Sequence, residues 1–312
     1  MSPTSIPTHQ TAACIDNPSP GATLTIRHDI PVPTPGAGEV LVKLEYTGFC
    51  HSDLHNINGE LVMTTNVPGH EGVGRVVKVG PNTPAEMMGR RMADNSGRNV
   101  PGTFQQYVVS PANFVSLIPE DLNPEAVAPL LCAGLTMYGA LSKVVDWVIC
   151  MPSVLGISRI AVNDEQGPSN RQGNGIQDDR SRQLIANIQS LTDGVGAHAS
   201  LIVVGSEKAY EQGVALLRPL GTLVCVGFPR PDFHVPVAPQ HCVDSGLRII
   251  GSAVGTETEM QALLEMARAG KVSTHYEVFD LEEINDVVER MRRYAVSGRA
   301  VLRIPEASVA RI

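Results

Sequence analysis

Three side chains that lie far apart in the chain, Cys50, His70 and Cys132, are of the types that bind a transition metal. Cys50 falls in GFCHSD (48–53) and His70 in GHEGVG (69–74), twenty residues further on; Cys132 follows much later in an apolar stretch. Two thiolates and one imidazole form a ligand set for catalytic zinc, with the fourth position left open for water or substrate. An ion held in this way acts as a Lewis acid on an alcohol or carbonyl oxygen and lowers the pKa of the alcohol. Asp53, three residues after Cys50, could accept the second N–H of the His70 ring and so fix its tautomer. Glu71 is adjacent and could visit the metal when the water leaves. Each residue also has a plain reading. A lone cysteine is usually a buried thiol, a lone histidine a satisfied structural ring, and Cys132, taken singly, is core. Residue types and spacing alone leave both readings standing.

The elements that would position these groups fall into two parts. A chain of 312 residues is long enough for two domains, and 43% hydrophobic residues suffice for a core in each. The aromatic fraction is only 4% and the net charge is −8, so neither stacking platforms nor an electrostatic footprint for nucleic acid is present. No apolar run approaches the length of a membrane span, and the start, MSPTSIPTHQ, lacks the pattern of a signal peptide. These features predict a soluble, cytosolic protein. The six cysteines are scattered with no C-x-x-C pair, which argues against a closed structural zinc knuckle and against a disulfide framework.

The first third is β-rich. QTAACI (10–15), EVLVKLEY (39–46), GVGRVVKV (72–79) and FQQYVV (104–109) are short β-branched runs bounded by turn residues, and they suggest a partly closed barrel. Helical spacing follows at 124–142. Beyond it, DWVIC (146–150), SRIAVN (158–163), ASLIVVG (199–205) and TLVCVG (222–227) are apolar runs of the kind buried in a parallel sheet, with helical stretches at 182–192 and 208–217. This alternation points to a doubly wound α/β sheet. The polar stretch 165–182 reads as a mobile loop, 257–270 and 281–293 as amphipathic helices, and RAVLRI (299–304) as a closing strand.

The phrases EVLVKLEYTGFCHSDLH, VPGHEGVGRVVKVG, APLLCAGLTMYGAL and GSEKAYEQGVALLRPLGTLVCVGFP closely resemble zinc-dependent alcohol dehydrogenases of the yeast type, in the medium-chain dehydrogenase/reductase superfamily. The resemblance runs from about 10 to 305. It implies an α/β fold with a GroES-like β-rich catalytic domain at 1–134, completed by 272–312, and a truncated Rossmann-like doubly wound parallel sheet at 135–271. It implies Cys50, His70 and Cys132 as ligands of one catalytic Zn2+, with Glu71 as alternate ligand. Ser52 then bonds the alcohol oxygen and begins proton relay, His51 contacts the cofactor, Thr136 lies against the nicotinamide and Arg299 contacts the pyrophosphate. The implied reaction is hydride transfer between NAD and a small-molecule alcohol, aldehyde or ketone, in a protein that forms a homo-oligomer.

Three departures from that family stand out. No cysteine-rich lobe for a structural zinc lies between Arg91 and Ser96, where GRRMADNSGRN runs straight across. Only seven residues, Met151 to Ile157, separate DWVIC from SRIAVN, where a parallel crossover needs about a dozen and a Gly-rich turn besides. Asp164, next after SRIAVN, has two readings: the acid that binds the cofactor ribose, or a polar residue opening a loop. Asn58 stands where the family often has a histidine ending the proton relay. The alternative function is therefore an impaired homologue, or a chain shortened by mis-assigned splicing, that binds zinc without turnover.

Overall fold

The computed structural model describes residues 6–94, 97, 99–145, 178–230 and 232–306. They divide into two compact units, residues 1–135 with 256–312, and residues 136–255. The expected strands DWVIC and SRIAVN, their short connection and Asp164 lie outside the described residues, as does 165–177 of the expected loop.

In the first unit, β1 (His9–Cys14) pairs antiparallel with β2 (Thr25–Pro31). Next come β3 (Glu39–Phe49), α1 (His51–Ile57), β4 (Glu71–Val79), β5 (Arg91–Asp94), β6 (Tyr107–Pro111) and β7 (Ser116–Leu117). Then α2 (Pro124–Val127) runs through a 3-10 turn, Ala128–Leu131, to α3 (Ala133–Val145), which begins in the first unit and from Thr136 belongs to the second. The second unit holds α4 (Asp179–Leu191), β8 (Ala197–Ile202), α5 (Glu207–Ala215), β9 (Leu217–Cys225), α6 (Pro239–Ser245) and β10 (Arg248–Gly251). The chain returns to the first unit with α7 (Glu257–Arg268), β11 (Tyr276–Asp280), α8 (Ile284–Arg292) and β12 (Arg299–Arg303).

A seven-stranded sheet organises the first unit in the order β11-β12-β3-β4-β5-β7, with β6 pairing β3. Every pair is antiparallel except β11–β12. β3 is its axis. The apolar pattern predicted a strand to Tyr46; the strand continues to Phe49 because Thr47, Gly48 and Phe49 pair with Leu302, Val301 and Ala300 of β12. That continuation delivers Cys50 directly from the sheet. Phe49 stacks on Phe104 with centroids 5.5 Å apart, among a core that includes Val42, Leu44, Ile284, Val287 and Leu302. The strand expected from Phe104 begins only at Tyr107. Residues 104–106 instead bond outward, Phe104 N to Pro68 O (3.0 Å) and Gln106 N to Thr11 O (3.1 Å).

Among the described residues, β8, β9 and β10 form a three-stranded parallel sheet in the order β10-β9-β8, with α5 as the crossover between β8 and β9. The turns after β8 and β9 pack backbone on backbone: a Cβ on Gly227 would lie 2.3 Å from Val204 O. Residues 178–182, expected as loop, cap and open α4, with Asp178 accepting from Ser181 N at 3.0 Å. α7 falls with the first unit rather than within the expected 135–271 domain. Its side chains bond there, Arg268 to Asp121 at 2.7 Å and Gln261 to Leu117 O at 3.3 Å, and Leu263 packs by Gly134. Among the described residues no single helix is long and apolar enough to cross a membrane.

Candidate metal centre

Cys50 leaves β3 in an extended conformation (φ −122, ψ 169) and caps α1. Its Sγ accepts from Ser52 N at 3.2 Å, and Asp53 Oδ2 accepts from Cys50 N at 3.0 Å. This is a capping box in which a sulfur takes the place of the usual hydroxyl. The other oxygen, Asp53 Oδ1, lies 2.8 Å from His70 Nδ1, so a fully buried carboxylate ties both residues into one frame.

His70 precedes β4 on a loop that residues 102–104 hold by its backbone. Gly102 N donates to Val67 O at 2.7 Å and Thr103 N to Gly69 O at 3.1 Å. Gly69 is left-handed (φ 100), and a Cβ there would meet the Phe104 ring at 2.6 Å. Cys132 is not inside a helix, as its apolar surroundings suggested. It sits at the break between the buried 3-10 turn 128–131 and α3, as the C-cap of that turn.

The outcome is a cluster. Cys50 Sγ is 3.5 Å from His70 Nε2 and 4.0 Å from Cys132 Sγ, and with a Glu71 oxygen all four donor atoms lie within 4.8 Å of one another. Tetrahedral zinc with Zn–S of about 2.3 Å and Zn–N of about 2.0–2.1 Å requires S···S of about 3.8 Å and S···N of about 3.6 Å. The donor set therefore fits zinc. Its electrostatics agree. The hydrogen bond from Cys132, helped by His70, holds the Cys50 thiol well below its usual range against burial. The same bond, with burial, pushes Cys132 up. Burial alone would lower His70, but the Asp53 carboxylate and Cys50 push it well up. Cys132 thus stays a thiol beside the Cys50 thiolate; holding both sulfurs as thiolates would take a counter-charge, which a divalent cation among these donors would supply.

Glu71 is fully buried on β4. Its Oε1 accepts from Arg299 Nη2 at 2.5 Å, and burial, opposed by Arg299, raises the carboxyl to about 7. Arg299 was expected at a pyrophosphate; one of its nitrogens is engaged by Glu71, and the side chain also borders a cleft of about 120 Å³. His51, Phe49, Met291 and Tyr294 line the same cleft, so His51 and Arg299 are brought together. Ser52 is half-buried beside the donors. Thr136 lies on α3 in the second unit, and Asp164 lies outside the described residues.

Two residues escaped the sequence reading. His55, four residues after His51 on α1, puts its ring 6.5 Å from that of His51 and pairs through Nδ1 with Glu60. The i, i+4 spacing was the available signal. Asn58, noted for lacking a titratable ring, is structural: it accepts from Arg292 at 3.2 Å and donates to Glu60 at 3.1 Å. The second is Tyr294, which follows α8 with φ 54, a left-handed position that favours glycine, and sets its ring 5.4 Å from that of His51. With the tyrosine 55% exposed, little packing offsets the strain. Tyr294→Gly is expected to raise stability by about 0.5–1 kcal/mol in urea unfolding.

Comparisons with known proteins give a consistent answer. The alcohol dehydrogenase GroES-like domain profile matches residues 36–120, and that of the zinc-binding dehydrogenases matches 174–269. The alcohol dehydrogenase of Moraxella sp. (strain TAE123) is 36% identical, over 88% of this chain and 94% of its own. That of Geobacillus stearothermophilus is 34% identical, over 86% and 92%. Alcohol dehydrogenase 2 of Emericella nidulans is 30% identical, over 97% and 99%. Among solved structures, the alcohol dehydrogenase of Aeropyrum pernix superposes with a TM-score of 0.75 at 24% identity, covering 95% of this chain and 100% of its own. Acetophenone reductase from Geotrichum candidum, solved with NAD, gives 0.74 at 20% identity over 96% and 98%; at these identities the likeness is one of fold.

Proposed function

The chain belongs to the zinc-binding alcohol dehydrogenase family, and from that premise we propose that it interconverts an alcohol and the corresponding aldehyde or ketone with NAD. The observation that carries the reading is the cluster of a buried Cys50 with half-buried His70 and Cys132, whose separations suit a tetrahedral zinc with one corner left for substrate. Zinc held there supplies Lewis acidity toward the substrate oxygen, and NAD supplies the hydride acceptor. No cysteine lies between Cys50 and Cys132, so there are no thiols for a structural zinc in that stretch, and one metal per chain is expected.

The chain's own residues do the rest. The Ser52 amide is locked onto Cys50 Sγ, which holds this residue beside a donor, and by resemblance its hydroxyl takes the proton of the alcohol. His55, on α1 and paired with Glu60, is the ring that would hand the proton on to solvent in place of Asn58. His51 and Arg299 border one cleft and supply hydrogen-bond donors suited to the diphosphate of a dinucleotide. By resemblance, Thr136 abuts the nicotinamide and Asp164 takes the ribose. Asp53 holds the His70 tautomer that leaves Nε2 free to bind metal. Glu71 is the reserve ligand. The reduced thiols of the cluster suit the cytosol.

The test is metal analysis of the purified protein together with absorbance at 340 nm on adding NAD and a series of primary and secondary alcohols. About one zinc per chain and alcohol-dependent NADH formation are expected. Stoichiometric zinc without NADH formation from any alcohol would leave the non-catalytic reading in its place.

A further inference from the structure

Gly48 and Glu71 are directly paired across β3 and β4. A Cβ on Gly48 would lie 1.8 Å from Glu71 Oε2, 2.9 Å from its Cδ and 3.1 Å from its Cβ. All three nearest atoms belong to that one side chain. The contrast with Gly74 in the same sheet is informative: a Cβ there would meet Lys43 O at 2.2 Å and Leu44 Cα at 2.7 Å, so the approach of two backbones demands that glycine. Gly48 has no left-handed φ, and among the described residues no backbone atom comes nearer to that Cβ than 3.1 Å. What excludes a side chain at position 48 is the Glu71 carboxylate, which occupies the space.

That resting place is a poor one for a carboxylate. Oε1 has Arg299, but among the described residues Oε2 is buried without a partner, an unfavourable state for a charged oxygen. Yet the same carboxylate comes within 4.8 Å of each of the other three donors. A fourth ligand is thus stored just short of the cluster, restrained on one side by the hollow above Gly48 and on the other by Arg299.

We propose that Gly48 is a positioning residue for the metal centre: its missing side chain parks the Glu71 carboxylate and thereby keeps the fourth corner free for substrate. The inference rests on the zinc reading above. A methyl group at position 48 ejects the carboxylate from its hollow, and the donor cluster lies within 4.8 Å of it. A site built to catalyse becomes one closed by four protein ligands.

The test uses the purified protein loaded with Co2+ or Zn2+. In the unsubstituted protein, added imidazole shifts the visible cobalt spectrum by taking the free corner. In Gly48→Ala its affinity is expected to fall at least about tenfold, and zinc release to a chelator to slow by a similar factor. Gly48→Ala/Glu71→Ala removes both the clash and the competing ligand, and imidazole binding is expected to return to near that of the unsubstituted protein. Should Gly48→Ala not fold, Arg299→Leu frees Glu71 from its other restraint and is expected to weaken imidazole binding in the same direction. Unchanged imidazole affinity in Gly48→Ala, or in Arg299→Leu where that variant stands in for it, overturns the inference, as does a double variant as blocked as the single one. Lack of a thiolate-to-cobalt band in the unsubstituted protein removes the zinc reading itself, a different result from any of these.

Discussion

Cys50→Ser is expected to empty the metal centre and abolish alcohol oxidation while leaving the protein folded. Cys50 has two jobs, and serine separates them. As the cap of α1 its side chain accepts from a backbone amide, and a serine oxygen does this at least as well, so the helix start is kept. As a donor it must be a soft thiolate within 4.0 Å of Cys132 and 3.5 Å of His70, and a neutral hydroxyl is a far weaker zinc ligand. Loss of Lewis acidity removes several kcal/mol of transition-state stabilisation. At about 1.4 kcal/mol per decade, activity is expected to fall by about three orders of magnitude or more. Zinc should drop from about one per chain to a small fraction, with the urea midpoint moving little beyond the loss of metal-linked stability. Cys242→Ser is the control, since α6 places that thiol away from any donor set among the described residues. Turnover surviving in Cys50→Ser would show that the chemistry lies elsewhere.

The ligands were legible because residue type and local wording carry them: GFCHSD and GHEGVG name the donors before any coordinates do. Strands that bury an apolar face were legible for a similar reason, as β3, β4, β9 and β12 show. What stayed hidden depends on pairings between distant segments. β3 runs past its apolar pattern because β12, some 250 residues later, offers Ala300 to Leu302 as partners. β11 (YEVFD) carries no run of apolar residues to mark it and is a strand through its parallel ladder with β12. Phe104 is apolar and aromatic yet lies outside the ladder, its amide used to hold the His70 loop. The relation of Gly48 to Glu71 is likewise invisible in one dimension, being a matter of which carboxylate fills which hollow. The same holds for Arg299: its chemistry suits a phosphate, and only the fold reveals the buried acid it also answers to.

Asp53→Asn is the second large effect, and the reasoning turns on proton positions rather than size. The Asp53 carboxylate accepts twice, from Cys50 N and from the Nδ1 side of His70, and it is wholly buried. An amide of the same shape has one accepting atom and one donating group. If its oxygen stays on Cys50 N, its NH2 faces His70 Nδ1 and selects the tautomer with the proton on Nε2, the nitrogen that must bind metal. If it turns the other way, donor meets donor at Cys50 and the frame between β3 and α1 loosens. Either way zinc affinity is expected to fall by about 10–100-fold, the range for groups that orient a metal-bound histidine. Asp53→Ala is expected to lose a similar factor and, in addition, about 3 kcal/mol of stability, since two charge-assisted hydrogen bonds go with no isostere to replace them. Competitive zinc titration against a chromophoric chelator, run beside urea unfolding of the metal-free proteins, separates the two. An asparagine variant with undiminished zinc affinity would mean that the His70 tautomer is set by something other than Asp53.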